Sequence, residues 1–167
     1  MSIMKPTAVR NVIIFLLGFL GVGALFGGGV LIISPSGGLI GMPVSMLTPS
    51  GFDNFLIPGI LLFTVLGVFP IFLIYALIKK TASPLAEHLN LFKDMSWQWS
   101  FLIYQAFALI IWIQIEMELL HAVHWLHTFY MFYAVVMLLV ALLPQTRDLY
   151  KKTVNQNVKG SSPDLNP

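Results

Sequence analysis

The chain has 167 residues, of which 57% are hydrophobic and only 10% charged, with a formal net charge of +2 and no cysteine. A soluble domain carries about 25% charged residues, so this composition excludes an ordinary water-soluble fold and points to a bilayer. Without cysteine there can be no disulfides, iron–sulfur clusters, thiolate zinc sites or CxxC redox chemistry, and the small net charge gives no reason to expect nucleic acid as a partner.

Residues 1–10 read as a short polar head with Lys5 and Arg10. The first predicted span covers 11–33, too long an apolar run for the h-region of a cleaved leader, so it is read as a retained helix. It is rich in glycine, and Gly23 and Gly27 make a GxxxG pair that would let a neighbouring helix approach closely.

The segment 34–54 breaks any long helix with three prolines and four glycines, yet Leu39, Ile40, Met42, Val44, Met46 and Leu47 keep it apolar. Its one formal charge is Asp53. The expectation is a loop lying on the membrane interface as a cap, with a re-entrant gate as the alternative. A second span follows over 55–78, with Pro58 in its first turn and Pro70 further on, where a kink or local break is expected. Lys79 and Lys80 stop it.

Residues 81–96 form a polar connection containing Glu87, His88, Lys93 and Asp94, with a turn or two of helix expected near Ala86–Phe92. The third span is predicted over 97–115 and the fourth over 124–143, with Trp97, Trp99, Trp112 and Trp125 expected as interfacial belt residues. Gln105 falls within the third span and should face another helix; Tyr130 and Tyr133 fall within the fourth and need partners for their hydroxyls. Pro144 should end the fourth span, leaving 144–167 as a polar, partly disordered tail. A single helix from Trp97 to Leu143 would measure about 70 Å at about 1.5 Å per residue, more than twice a bilayer core, so the chain must reverse between Trp112 and His127.

With four alternating spans, all nine Lys and Arg fall on one side, together with both termini. The positive-inside rule makes that side cytoplasmic and the membrane the cytoplasmic one. The architecture expected is an all-α, up-down-up-down four-helix transmembrane bundle.

The glycine-led run from Gly27 to Pro43 (GGG, then SPSGGLIGMP), FDNFLIPGILLF from Phe52 to Phe63, and WIQIE from Trp112 resemble a family of small four-span prokaryotic membrane proteins. The resemblance spans about residues 12–143 and implies the four-span layout; it carries no catalytic residues. The layout is also similar to that of DoxX-type proteins, and in span count to relatives of vitamin K epoxide reductase, whose cysteine chemistry this chain lacks.

The one concentration of chemistry is the stretch from Trp112 to His127. It holds Glu116, Glu118, His121, His124 and His127, oxygen and imidazole donors suited to Zn²⁺, Fe²⁺ or Cu²⁺. Glu116, Glu118, His121 and His124 are the candidate metal ligands, with Asp53 and His127 as neighbours; a hydrated bend is the plainer reading. Haem, phosphate loops, GxSxG elbows and HExxH sites find no support. The leading functional expectation is therefore non-enzymatic: a structural, accessory or transport-related protein whose partners are the bilayer and either a membrane protein or a second copy. The alternative is a metal-dependent or redox membrane enzyme built on the acid–histidine cluster.

Overall fold

The computed structural model describes residues 5–47 and 51–152. Four helices are long and apolar enough to cross a membrane: Pro6–Ile33, Leu56–Lys79, Trp97–Leu120 and Trp125–Leu142. They are hereafter the first to fourth spans. Each packs on its neighbours in sequence and the fourth returns to the first, closing an up-down-up-down bundle. Among the described residues the only β pairing is one isolated antiparallel bridge, Met95 with Lys151. The chain is an all-α, multi-pass membrane protein.

The first span starts at Pro6, not after Arg10, because proline fits the first helical turn where its missing N–H costs nothing. Residues 6–10, expected in the polar head, are therefore helical. The third span likewise runs five residues beyond its expected end, to Leu120.

The second span joins two α-helical pieces through a π-helical turn, Leu62–Val68, immediately before Pro70. Pro70 has no N–H and its ring crowds the carbonyl four residues back in a regular helix; the wider turn relieves both. Gln105, almost wholly buried at 1% exposure, donates from Nε2 to the Val65 carbonyl inside this turn at 3.3 Å. The expected break at Pro70 thus appears as a bulge, and the polar residue expected to face another helix is bonded to that bulge.

The first and second spans approach most closely through glycine. A Cβ on Gly28 would lie 2.6 Å from the Phe63 nitrogen, and one on Gly59 would lie 2.8 Å from the Leu31 Cβ. Two turns away, Gly21 and Gly67 repeat the arrangement against Ile71 and Leu25. The close packing expected of Gly23 and Gly27 falls instead on these neighbours. Gly27 meets Leu62 only at ordinary contact distance, and Gly23 faces the Tyr130 hydroxyl.

Three of the four tryptophans expected at the interfaces are turned into the protein. Trp97 and Trp99 are buried and donate to the carbonyls of Thr81 and Ala141 at 2.9 and 2.8 Å. Trp112 is buried as well, and only Trp125 is exposed. Leu143 is extended before Pro144, which ends the fourth span and opens a short helix, Pro144–Tyr150, packed on the first span. That stretch, expected to be tail, buries Thr146 and Tyr150. Residues 153–167 lie outside the described part.

The basic end is closed by hydrogen bonds. Asn90, buried, donates to the Met95 carbonyl at 2.8 Å and accepts from Ser100 Oγ at 2.5 Å. Glu87 on the short helix Pro84–His88 accepts from the Trp97 N–H and from Lys152 Nζ, the latter at 2.7 Å. The other end is covered by the connection after the first span. Gly37, at φ 71°, turns the chain where a Cβ would collide with the Met42 carbonyl. Leu47 and Phe55 then pack with Leu31 in a small second core that reaches Leu119 and Leu120. The described part of this segment is a folded cap.

Candidate functional site

Beneath the cap lies a cavity of about 330 Å³. The first span contributes Leu20, Gly23, Ala24, Gly27 and Leu31, and the third contributes Leu109, Trp112, Ile113, Glu116 and Leu120. Both sets follow the i, i+3, i+4, i+7, i+11 spacing of one helix face. Ile40, Met42 and Met46 of the cap form the lid, and Leu62 and Leu66 of the second span with His124, Leu126, His127 and Tyr130 complete the wall. Most of this lining is apolar. The polar groups are few: the Trp112 indole, the Glu116 carboxylate, two imidazoles and the Tyr130 hydroxyl.

The geometry explains which members of the acid–histidine stretch take part. Because the helix continues to Leu120, Glu116 and Glu118 sit two residues apart on it and face nearly opposite directions. Glu116 lines the cavity and Glu118 is exposed. His121 terminates the helix in a left-handed conformation, φ 46°, with its side chain exposed. Asp53 is exposed in the cap and does not line the cavity. Of the four candidate metal ligands, only Glu116 and His124 reach one cavity, joined there by His127, which was expected only as a neighbour. Among the described residues no group of three acid or histidine side chains converges as a metal site would require.

His127 is the most constrained of these groups. It is buried, and its Nδ1 accepts the His124 backbone N–H at 3.2 Å, capping the fourth span. A neutral His127 ring therefore carries its proton on Nε2. The His124 and His127 rings stand 5.9 Å apart, centroid to centroid. The Trp112 Nε1 is buried and, among the described residues, has no hydrogen-bond partner of good geometry. Glu116 is one turn further along the same helix and near enough to interact with that indole. A donor left unmet against an apolar cavity costs roughly 1–3 kcal/mol, which an acceptor on a bound molecule could recover.

Trp112 and Tyr130 were not legible in the sequence as site residues. The signal that could have found them is the stripe Leu109–Trp112–Ile113–Glu116–Leu120, whose single charge on an otherwise apolar helical face marks an inward group. Fold and cavity define the class: a four-span membrane protein with a pocket between its helices, lined mostly by apolar side chains and a few polar ones. No protein-family model, no curated protein and no solved structure matches this chain.

Proposed function

We propose that this is a binding or transport-related protein of the cytoplasmic membrane that holds a small amphiphile, an apolar body with a polar head, beneath the cap. The carrying observation is the cavity itself, whose volume of about 330 Å³ falls at the low end of ligand pockets, roughly 300–1,000 Å³. Its chemistry matches that ligand class: aliphatic side chains around the body, and Trp112 Nε1, Glu116, His127 and Tyr130 around the head. A catalytic role receives less support, since the acid–histidine stretch divides between cavity and exterior. A cytoplasmic position for both termini is supported by charge: Lys80, Lys151 and Lys152 share one end of the bundle. The resemblance to small four-span prokaryotic proteins is consistent with this placement and rests on the loop and span motifs alone.

The test uses Gly23→Leu, which adds side-chain volume to the cavity wall, where a Cβ would meet the Tyr130 hydroxyl at 3.1 Å and no backbone. Purified protein is titrated with decanol and decanoic acid while Trp112 emission is followed, with Trp112→Phe as the blank. Saturable quenching in the wild type, lost in Gly23→Leu, supports the reading. Absence of saturable quenching, or equal quenching in Gly23→Leu, overturns it.

A further inference from the structure

The connection between the second and third spans is polar in composition, yet it carries large apolar side chains on its outside. Leu85 is 73% exposed and Leu91 78%, and Leu89 and Phe92 are exposed with them. A cluster of bare apolar side chains rimmed by charge marks an interaction surface. The segment does not stand clear of the spans. The Tyr104 hydroxyl, on the third span, accepts the Leu91 N–H at 3.0 Å and donates to the Leu89 carbonyl at 3.3 Å. Tyr104 lies two turns past Trp97, the first residue of that span, or about 10 Å along the axis at about 1.5 Å per residue. A helical side chain leans back towards the start of its helix. Phe92 packs edge-on against Trp99 in the first turn of the same helix, with ring centroids 5.2 Å apart. The chain from Leu89 to Phe92 therefore runs beside the first two turns of the third span and not beyond its end.

On that helix Tyr104 is followed by Phe107, Ile111 and Ile115, the i, i+3, i+7, i+11 spacing of one face, and all three are exposed. In a four-span bundle such a stripe faces lipid, and the leucines of the connection continue it at the basic end. The backbone agrees. Irregular chain is tolerated next to lipid only where the protein itself satisfies its amides. Every N–H from Leu89 to Phe92 is met in this way. Leu89 donates to the Leu85 carbonyl at 3.2 Å, Asn90 to the Glu87 carbonyl at 3.3 Å, Leu91 to Tyr104, and Phe92 to Asn90 Oδ1 at 3.0 Å. A turn in water could leave such groups to solvent. We infer that this connection is an interfacial anchor, with Leu85, Leu89, Leu91 and Phe92 inserted at the headgroup–acyl boundary of the leaflet at the basic end. The partner is the phospholipid surface, because the patch is continuous with the lipid-facing stripe of the third span. Lys80 and Lys93, on either side of the segment in sequence, suit it to headgroups that carry phosphate. The anchor is independent of the cavity under the cap.

The experiment takes the full chain with single introduced cysteines, since it has none of its own. Leu85→Cys and Leu91→Cys carry an environment-sensitive fluorophore; both positions are exposed, so the label displaces no packed side chain. Asp94→Cys, exposed in the same connection, is the water control, and Phe107→Cys is the lipid control. Each labelled protein is reconstituted into vesicles of phosphatidylcholine and phosphatidylglycerol. The phosphatidylcholine is brominated either near the headgroup end of its acyl chains or near their middle. Iodide on both sides of the membrane is the aqueous quencher. Expected at Leu85 and Leu91 is emission shifted to the blue of the Asp94 label and little loss with iodide. Their loss of intensity should be greater with shallow bromine than with mid-chain bromine. Either position suffices if the other variant melts early in detergent. Iodide quenching equal to that at Asp94, without loss to bromine, overturns the inference and leaves the connection in water. Protection from both quenchers overturns it equally, since a second copy of the chain would then cover the patch. Mid-chain bromine acting more strongly than shallow bromine also overturns it, by placing the segment in the hydrocarbon core.

Discussion

Two glycines one residue apart, Gly27 and Gly28, meet opposite surroundings. Gly27 borders the cavity and has ordinary contact with Leu62, whereas Gly28 lies against the backbone of the second span, where a Cβ would sit 2.8 Å from the Gly59 carbonyl. Backbone cannot step aside as a flexible side chain can. Gly28→Ala should therefore lower stability by about 1–3 kcal/mol, the usual range for overpacking, while Gly27→Ala changes it little. Thermal unfolding in detergent measures both; equal melting temperatures would show that the first two spans are not in close contact. The sequence marked the glycine-rich helix as a packing element, and Gly23 and Gly27 do meet Tyr130 and Leu62 of other spans, but it did not single out the closer backbone approaches at Gly21 and Gly28, because GxxxG spacing is only a pattern and all four glycines lie within two turns. What separates them is the partner: Gly59 and Gly67 stand eight positions apart where Gly21 and Gly28 stand seven, and the π-turn takes up the extra residue.

Among the elements, the short helix Pro84–His88 is held by an exposed ion pair in a connected set of bonds. Burial works against the Glu87 carboxylate, but hydrogen bonds from Lys152, Asn90 and the Trp97 N–H outweigh it and hold its pKa below the ordinary 4.5. A carboxylate with a depressed folded pKa stabilises the fold above its unfolded value and loses that contribution as pH falls through the folded one. Stability should thus be level above about pH 5.5 and fall towards pH 3. Glu87→Gln should show a lower plateau and a shallower acid limb, measured as melting temperature against pH. Parallel acid limbs for the two proteins would assign the loss to other carboxylates. The junction was half legible: a turn or two of helix was expected near Ala86–Phe92 and forms at Pro84–His88 instead, whereas its tie to Lys152 joins residues far apart in sequence. The same limit applied at the candidate site. Helix periodicity could have separated Glu116 from Glu118 once the third span was known to reach Leu120, but nothing local marks that end. No Gly or Pro follows it, and His121 takes the left-handed cap that glycine usually supplies.

For the whole molecule, the four spans and their order could be read from hydropathy, because a bilayer imposes length and apolarity on every crossing segment. Their handed packing, the cap and the cavity could not, since they depend on which face of each helix meets which neighbour. The proposed orientation rests on charge alone. Among described residues, Lys80, Lys93, Arg147, Lys151 and Lys152 lie beyond the same ends of the spans, with Lys79 as the last residue of the second, and the cap carries Asp53 as its one formal charge. Moving this many cations across a membrane is opposed at insertion, whereas the cap end opposes nothing. The absence of cysteine from the chain makes the orientation measurable with single introduced thiols. Ser36, exposed in the cap, and His88, exposed on the short helix at the basic end, are suitable positions. On intact cells an impermeant maleimide should label Ser36→Cys and spare His88→Cys until the cells are opened. Labelling of His88→Cys alone would invert the protein, placing the cap in the cytoplasm and the basic end outside. Labelling of both on intact cells would contradict the position of the two residues at opposite ends of a four-span bundle, and with it the alternation of the spans.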